Sequence, residues 1–173
     1  MRRLTMKKFF IITILPVCIL LINYSLLSIP SNSAISGDSR NDGVDIWVHY
    51  EYFINPGTLV FDLRSVGEDK STADVFRVLF QVAEKFQGKR FDKVILSSKG
   101  KRKFYIEGSY FKEIGSSFSY QNPMYLLRTF PENTFLLNNT KAYATWTGGA
   151  LGVMGKQMED LNELAKYWVM ADG

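Results

Sequence analysis

From residue 44 onward the chain alternates between two hydrophobic periods. VDIWVHYEYFI (Val44–Ile54) and TLVFDLRSV (Thr58–Val66) are dense in β-branched and aromatic residues and are separated by INPG, which predicts two strands and a turn. GEDK interrupts the pattern. Ser71 and Asp74 then have the spacing of a capping box, and Val75, Phe76, Leu79, Val82, Ala83 and Phe86 recur at helical spacing up to a stop at Gly88. DKVILSS (Asp92–Ser98) and RKFYIEG (Arg102–Gly108) predict a second pair of strands around a Lys99-Gly100 turn. SYFKEIG supplies one or two helical turns closed by Gly115, and Asn122-Pro123 caps and starts a short helix that ends before Pro131. NTFLLNNTKAYATW predicts a third hairpin turning at Asn138-Asn139, because asparagine tolerates the left-handed conformation. The last helix carries Met154, Met158, Leu161, Ala165 and Trp168 on one face.

Strand, strand, helix thus recurs about three times, with no residue-level identity between the units. Short hairpins imply an antiparallel sheet, and helices returning after each hairpin imply a helical layer on one face. The fold class is α+β, in a single domain spanning 44–173. Residues 35–43, ISGDSRNDG, are small and polar and read as a flexible tether.

Residues 1–34 follow a different rule. They contain no acid, and Arg2, Arg3, Lys7 and Lys8 precede an apolar run from Phe9 to Ile29, after which come the small residues Ser31, Ser33 and Ala34. This is the anatomy of an export signal. It predicts a signal peptide cleaved near Ser33 or Ala34, or an uncleaved anchor, since the run has the length of a spanning helix, roughly 20 residues. Lipidation at Cys18 is a third route, poorly supported because Val17 precedes the cysteine. Pro16, Asn23 and Tyr24 weaken the anchor. In each variant residues 35–173 lie outside the cytoplasmic face, periplasmic or secreted or tethered to the inner membrane through residues 9–29, because the positive end stays inside.

This segment changes the meaning of the composition. The chain carries 21 Lys and Arg against 17 Asp and Glu, a net +4. Four of those bases precede the apolar run, so the rest of the chain is formally neutral, and a nucleic-acid partner is not expected. The single cysteine, Cys18, also lies in the apolar run. The domain beyond it therefore has no disulfide, no cysteine nucleophile and no thiolate zinc site.

Five candidate features remain. TWTGGALGVMGKQMED (Thr145–Asp160) places four glycines before a helix, but a phosphate loop needs glycine at 150 and Ser or Thr at 157, where the chain has Ala150 and Gln157. Gly148, Gly149, Gly152 and Gly155 are read as a tight strand-to-helix joint packed on the sheet. The alternatives are a binding wall of exposed amides at Gly148 and Gly149 beside Trp146, or a membrane or oligomer contact. His49 is the only histidine, mid-strand with Trp47 and Glu51 on its face, and no serine sits in a nucleophile-elbow context. The strand acids Asp45, Glu51, Asp62 and Glu107 are candidates for paired-carboxylate hydrolysis, read first as the solvent face of a sheet. The hairpin tip concentrates Lys99, Lys101, Arg102 and Lys103, a candidate anion or membrane-surface patch and equally a solvated turn that protects an edge strand. Aromatic and amide residues mix in SFSYQNPMYLLRTFPEN, so Tyr120, Tyr125 and Arg128 join Trp146 as candidates for a pocket wall. No cofactor and no metal are expected. The leading expectation is a non-enzymatic envelope module that binds a protein or anionic-lipid partner. The alternatives are a carboxylate hydrolase or transferase acting on envelope polymers, and a membrane-surface accessory protein.

Overall fold

The computed structural model describes residues 15–170. It opens with one apolar helix, α1 (Leu15–Ile35), long and apolar enough to cross a membrane. Inside it, Tyr24–Ser28 forms a π-helical turn, closed by the Ile29 N–H bonding Tyr24 O. Pro30 has no N–H to give the carbonyl of Leu26, and Lys89 Nζ takes that carbonyl instead at 3.1 Å. The 35–43 stretch is a compact connector, not a loose tether. Asp38 accepts from Arg40 N and caps a single 3-10 turn, Ser39–Asn41. Asn41 is buried and its amide bonds Ile35 O and Gln81.

Five strands follow in the spatial order of the sequence: β1 (Val44–Glu51), β2 (Asn55–Val66), β3 (Lys93–Ser98), β4 (Lys101–Glu107) and β5 (Thr134–Leu136). Three of the four pairings are antiparallel, and β2–β3 is parallel. The wholly antiparallel sheet expected from the hairpins is corrected there. α2 (Thr72–Lys85) intervenes between the hairpins and, at about 1.5 Å per residue, carries the chain roughly 20 Å back along the sheet, so β3 starts at the same end as β2. The Ser71–Asp74 capping box forms, with Ser71 N donating to Asp74 Oδ2 at 2.7 Å.

The first reversal lies at Tyr52-Phe53, both with positive φ (51° and 63°), and not at INPG, whose Asn55, Pro56 and Gly57 already belong to β2. The third hairpin shrinks to β5 and one bridge, Phe135 to Lys141, but it turns at Asn139 with φ 69°, the left-handed position expected there. α3 (Gly108–Ser117) continues through Gly115, because glycine is needed inside that helix: an added Cβ would stand 2.2 Å from Ala83 O. α4 (Pro123–Thr129) is capped by Asn122 as read. The chain from 142 to 149 forms no strand, so Trp146 does not end one, and α5 (Ala150–Trp168) closes the fold.

All the helices contribute to or flank one core on one sheet face. Phe61, Phe76, Phe80, Phe111, Phe130 and Trp168 are fully buried, and Trp168 Nε1 bonds Ser97 O at 3.0 Å. The other face carries only a small cluster of Val60, Ile95 and Tyr105 with Phe135. The expected helical layer on one face is thus the architecture observed.

Candidate functional site

β1 is an edge strand, with a row of backbone groups not used by β2. α1 meets them. Asn23 Oδ1 accepts from Tyr50 N at 2.9 Å, its Nδ2 donates to Phe53 O at 2.6 Å, and Ser28 Oγ donates to Val48 O at 2.9 Å. An unpaired strand edge is a liability that proteins cover, and here side chains of an apolar helix cover it.

The helix is inside-out. Its buried positions are Asn23, Leu27, Ser28 and Ser31, three of the four polar. Its outward positions are Leu15, Val17, Leu20, Leu21, Ile22, Tyr24, Leu26 and Ile29, each 46–59% exposed. A helix of a water-soluble domain shows the opposite arrangement. Cys18 is exposed on the same helix. Leu27 and Ser28, consecutive residues of the π-turn, are both buried against the domain.

Beside Asn23 the β1–β2 tip presents Tyr52 and Ile54, 68% and 66% exposed. β2 begins three residues before its first β3 partner, Thr58 opposite Lys93, so this tip protrudes beyond the parallel ladder. Phe53 turns back and stacks on His49 (4.7 Å between ring centres), which in turn meets Trp47. Burial in this aromatic stack pushes the His49 imidazole below its ordinary value. His49 Nδ1 lies 2.7 Å from Tyr50 O, and Ser97 Oγ, on the same sheet face, is buried with no partner. No Ser–His relay is assembled.

The helix-free face is plated with aromatic rings under cations: Arg64 over Trp47, Arg102 over Tyr52, Lys93 over Tyr105 and Lys141 over Phe135. An open cleft of about 420 Å³ lies between Glu51, Asp92, Arg102 and Tyr105. The strand acids are each engaged. Asp62 is buried and accepts from Gly100 N and Arg64, Glu51 pairs with Arg102, Asp45 accepts from Ser65, and Glu107 accepts from Ser109. Among the described residues no group of three or more His, Cys, Asp or Glu is placed to hold a metal ion.

The aromatic candidates partly converge. Arg128 bonds Gln157 at 2.7 Å and lies over the Tyr125 ring, while Trp146 Nε1 bonds Asp160 at 2.7 Å, so Tyr125, Arg128 and Trp146 gather against the middle of α5. Tyr120 stands apart, 77% exposed. The packed glycine joint is overturned. At Gly148, Gly149, Gly152 and Gly155 an added Cβ would meet nothing within 4 Å, so close approach to the sheet is not what these glycines provide. Gly149 is the N-cap of α5, and Gly148 (φ 135°) holds a backbone conformation that other residues rarely adopt. The basic turn of Lys99, Lys101, Arg102 and Lys103 sits at the Leu63–Ser98 end of the β2–β3 ladder, opposite the Tyr52–Ile54 tip, and Arg102 folds back to Glu51.

Asn23, Ser28 and Ser31 are the inward polar positions of α1 that sequence reading missed. The signal was present, since polar residues at 23, 28 and 31 within an apolar run share one helix face once a π-turn is allowed. No protein-family model, curated protein or solved structure matches this chain. The fold and site define an α+β domain fused to an apolar N-terminal helix that is part of its own packing.

Proposed function

We propose that this is a membrane-anchored, non-enzymatic interaction module, exposed outside the cytoplasmic face and held by an uncleaved α1. One observation carries the reading: α1 turns its polar residues to the domain and its large apolar residues outward. Lipid is the surrounding in which that arrangement is favourable, because it rewards the outward apolar face and leaves β1's edge groups to be satisfied from within the protein. Cleavage near Ser33 or Ala34 would remove Asn23, Leu27, Ser28 and Ser31 together and reopen that edge. Arg2, Arg3, Lys7 and Lys8 set the orientation by staying on the cytoplasmic side.

The helix-free sheet face, with Arg64 over Trp47, Lys93 over Tyr105 and Lys141 over Phe135, is the surface offered to a partner in the envelope. Binding rather than turnover is favoured because each strand acid already has a donor. Membrane fractionation tests the reading. The protein should resist alkaline carbonate extraction, and recovery in the carbonate supernatant would exclude the anchor. Turnover of an envelope polymer that is lost in Glu51→Gln would instead favour the hydrolase.

A further inference from the structure

We propose that the β1–β2 tip is a second membrane contact, with Tyr52 and Ile54 seated in the lipid interface beside α1 and Lys89 and Arg90 facing the lipid phosphates. This rests on the anchored reading and adds the position of the domain on the bilayer. The domain grips α1 at Asn23. Tyr24, Leu26 and Ile29 lie beyond that grip toward the domain and are large, apolar and exposed. The lipid layer that covers them therefore reaches past the height of Asn23, where the β1–β2 tip is bonded.

The exposed large residues of the protruding tip are an aromatic and an aliphatic, with Arg102 over the aromatic ring: Tyr52 belongs to the residue class enriched at membrane interfaces. Tyr52 and Phe53 both hold positive φ, an uncommon conformation for bulky residues, and it turns Phe53 onto His49 while Tyr52 and Ile54 point outward. Lys89 binds the Leu26 carbonyl, three residues past Asn23 toward the domain, and Arg90 beside it is exposed. Cations at that height suit the headgroup layer, in which each adds attraction to anionic lipid.

The test uses full-length protein reconstituted in phosphatidylcholine–phosphatidylglycerol vesicles. A polarity-sensitive fluorophore is attached at native Cys18, or at Ile54→Cys or Glu68→Cys in a Cys18→Ser background. Emission is read with and without lipids carrying a nitroxide quencher on the acyl chain. Positions 18 and 54 should both be blue-shifted and lose most of their emission, 18 the more deeply, while exposed position 68 should be unaffected. Quenching at 18 without quenching at 54 overturns the tip contact and leaves the anchor standing. Quenching at neither overturns both. If oxidation links two copies through Ile54→Cys and position 54 is unquenched, the tip is a contact between copies and the proposal fails.

Discussion

Replacing Asn23 by Ala should detach the edge of the sheet from α1. Asn23 is 3% exposed and makes two long-range bonds, from Tyr50 N at 2.9 Å and to Phe53 O at 2.6 Å. Alanine removes both and leaves a part-buried donor and a part-buried acceptor unpaired. An unsatisfied buried group costs about 1–3 kcal/mol. Because both are only part-buried, the two together should cost about 2–4 kcal/mol. Burial of Leu27, worth about 1.5–3 kcal/mol, and the Ser28–Val48 bond would still hold the helix, so the loss should appear as local opening and not as global unfolding. Hydrogen exchange in detergent micelles reads this at the Tyr50 amide. A cost of 2–4 kcal/mol corresponds to a fall in protection of about 30- to 700-fold, at 1.4 kcal/mol per decade. Asn23→Asp keeps an acceptor for Tyr50 but sets an oxygen against the Phe53 carbonyl, and it should do no better. Ser25→Ala, on the exposed side, is the control. A Tyr50 amide equally protected in wild type and Asn23→Ala would refute the docking geometry.

Gly115→Ala should destabilise by about 1–3 kcal/mol or more, since its Cβ would meet backbone Ala83 O at 2.2 Å, whereas Gly152→Ala on open α5 should stabilise by about 0.5–1 kcal/mol; paired thermal melts decide both. Stability should begin to fall below about pH 6.5, where the unfolded chain protonates His49 and the buried imidazole resists, and fall again from about pH 4 toward pH 2. Hydrogen bonds from Ser71, with Arg77 nearby, hold Asp74 at about 2, and Arg40 holds Asp38 well below the usual carboxylate range. Both are depressed carboxylates, so the unfolded chain takes up protons first and the stabilisation disappears as pH drops through the folded value. Asp74→Asn should flatten that slope in an acid titration followed by circular dichroism, and added salt should weaken the effect because both groups are partly exposed. Trp168→Phe should cost stability through the lost bond to Ser97 O and the lost ring area, and a melt unchanged from wild type would contradict the core described above.

Much of the fold was legible because its signals are local. The capping box at Ser71–Asp74, the Asn122-Pro123 helix start and the left-handed Asn139 each depend on residues a few positions apart, and each forms. The parallel β2–β3 pairing was not legible, because hairpin chemistry specifies pairing within a hairpin and says nothing of how two hairpins meet across a helix. The INPG turn misled because Pro56 and Gly57 are compatible with the start of a strand, while the true reversal uses Tyr52 and Phe53 in a conformation that their residue types disfavour. Gly115 read as a stop and proved to be a contact, since spacing alone does not show which backbone a missing side chain admits.

The site was less legible than the fold. Asn23 counted against an anchor when hydropathy alone was weighed. In the structure it is the residue that fastens α1 to the domain, and only the position of β1 reveals that contact. The glycine run at 148–155 drew attention for its density and makes no close contact, while the polar stripe at 23, 28 and 31 was hidden inside an apolar run.

The central claim is that α1 remains in the finished protein as its lipid-facing anchor. The intact mass and N-terminal sequence of the protein purified from membranes test it most directly. The account expects a chain of about 19.8 kDa that starts at Met1, or a slightly shorter one starting at Met6, recovered from the membrane fraction. A soluble species beginning near Ser33–Ile35, folded without Asn23, Leu27 and Ser28, would contradict it.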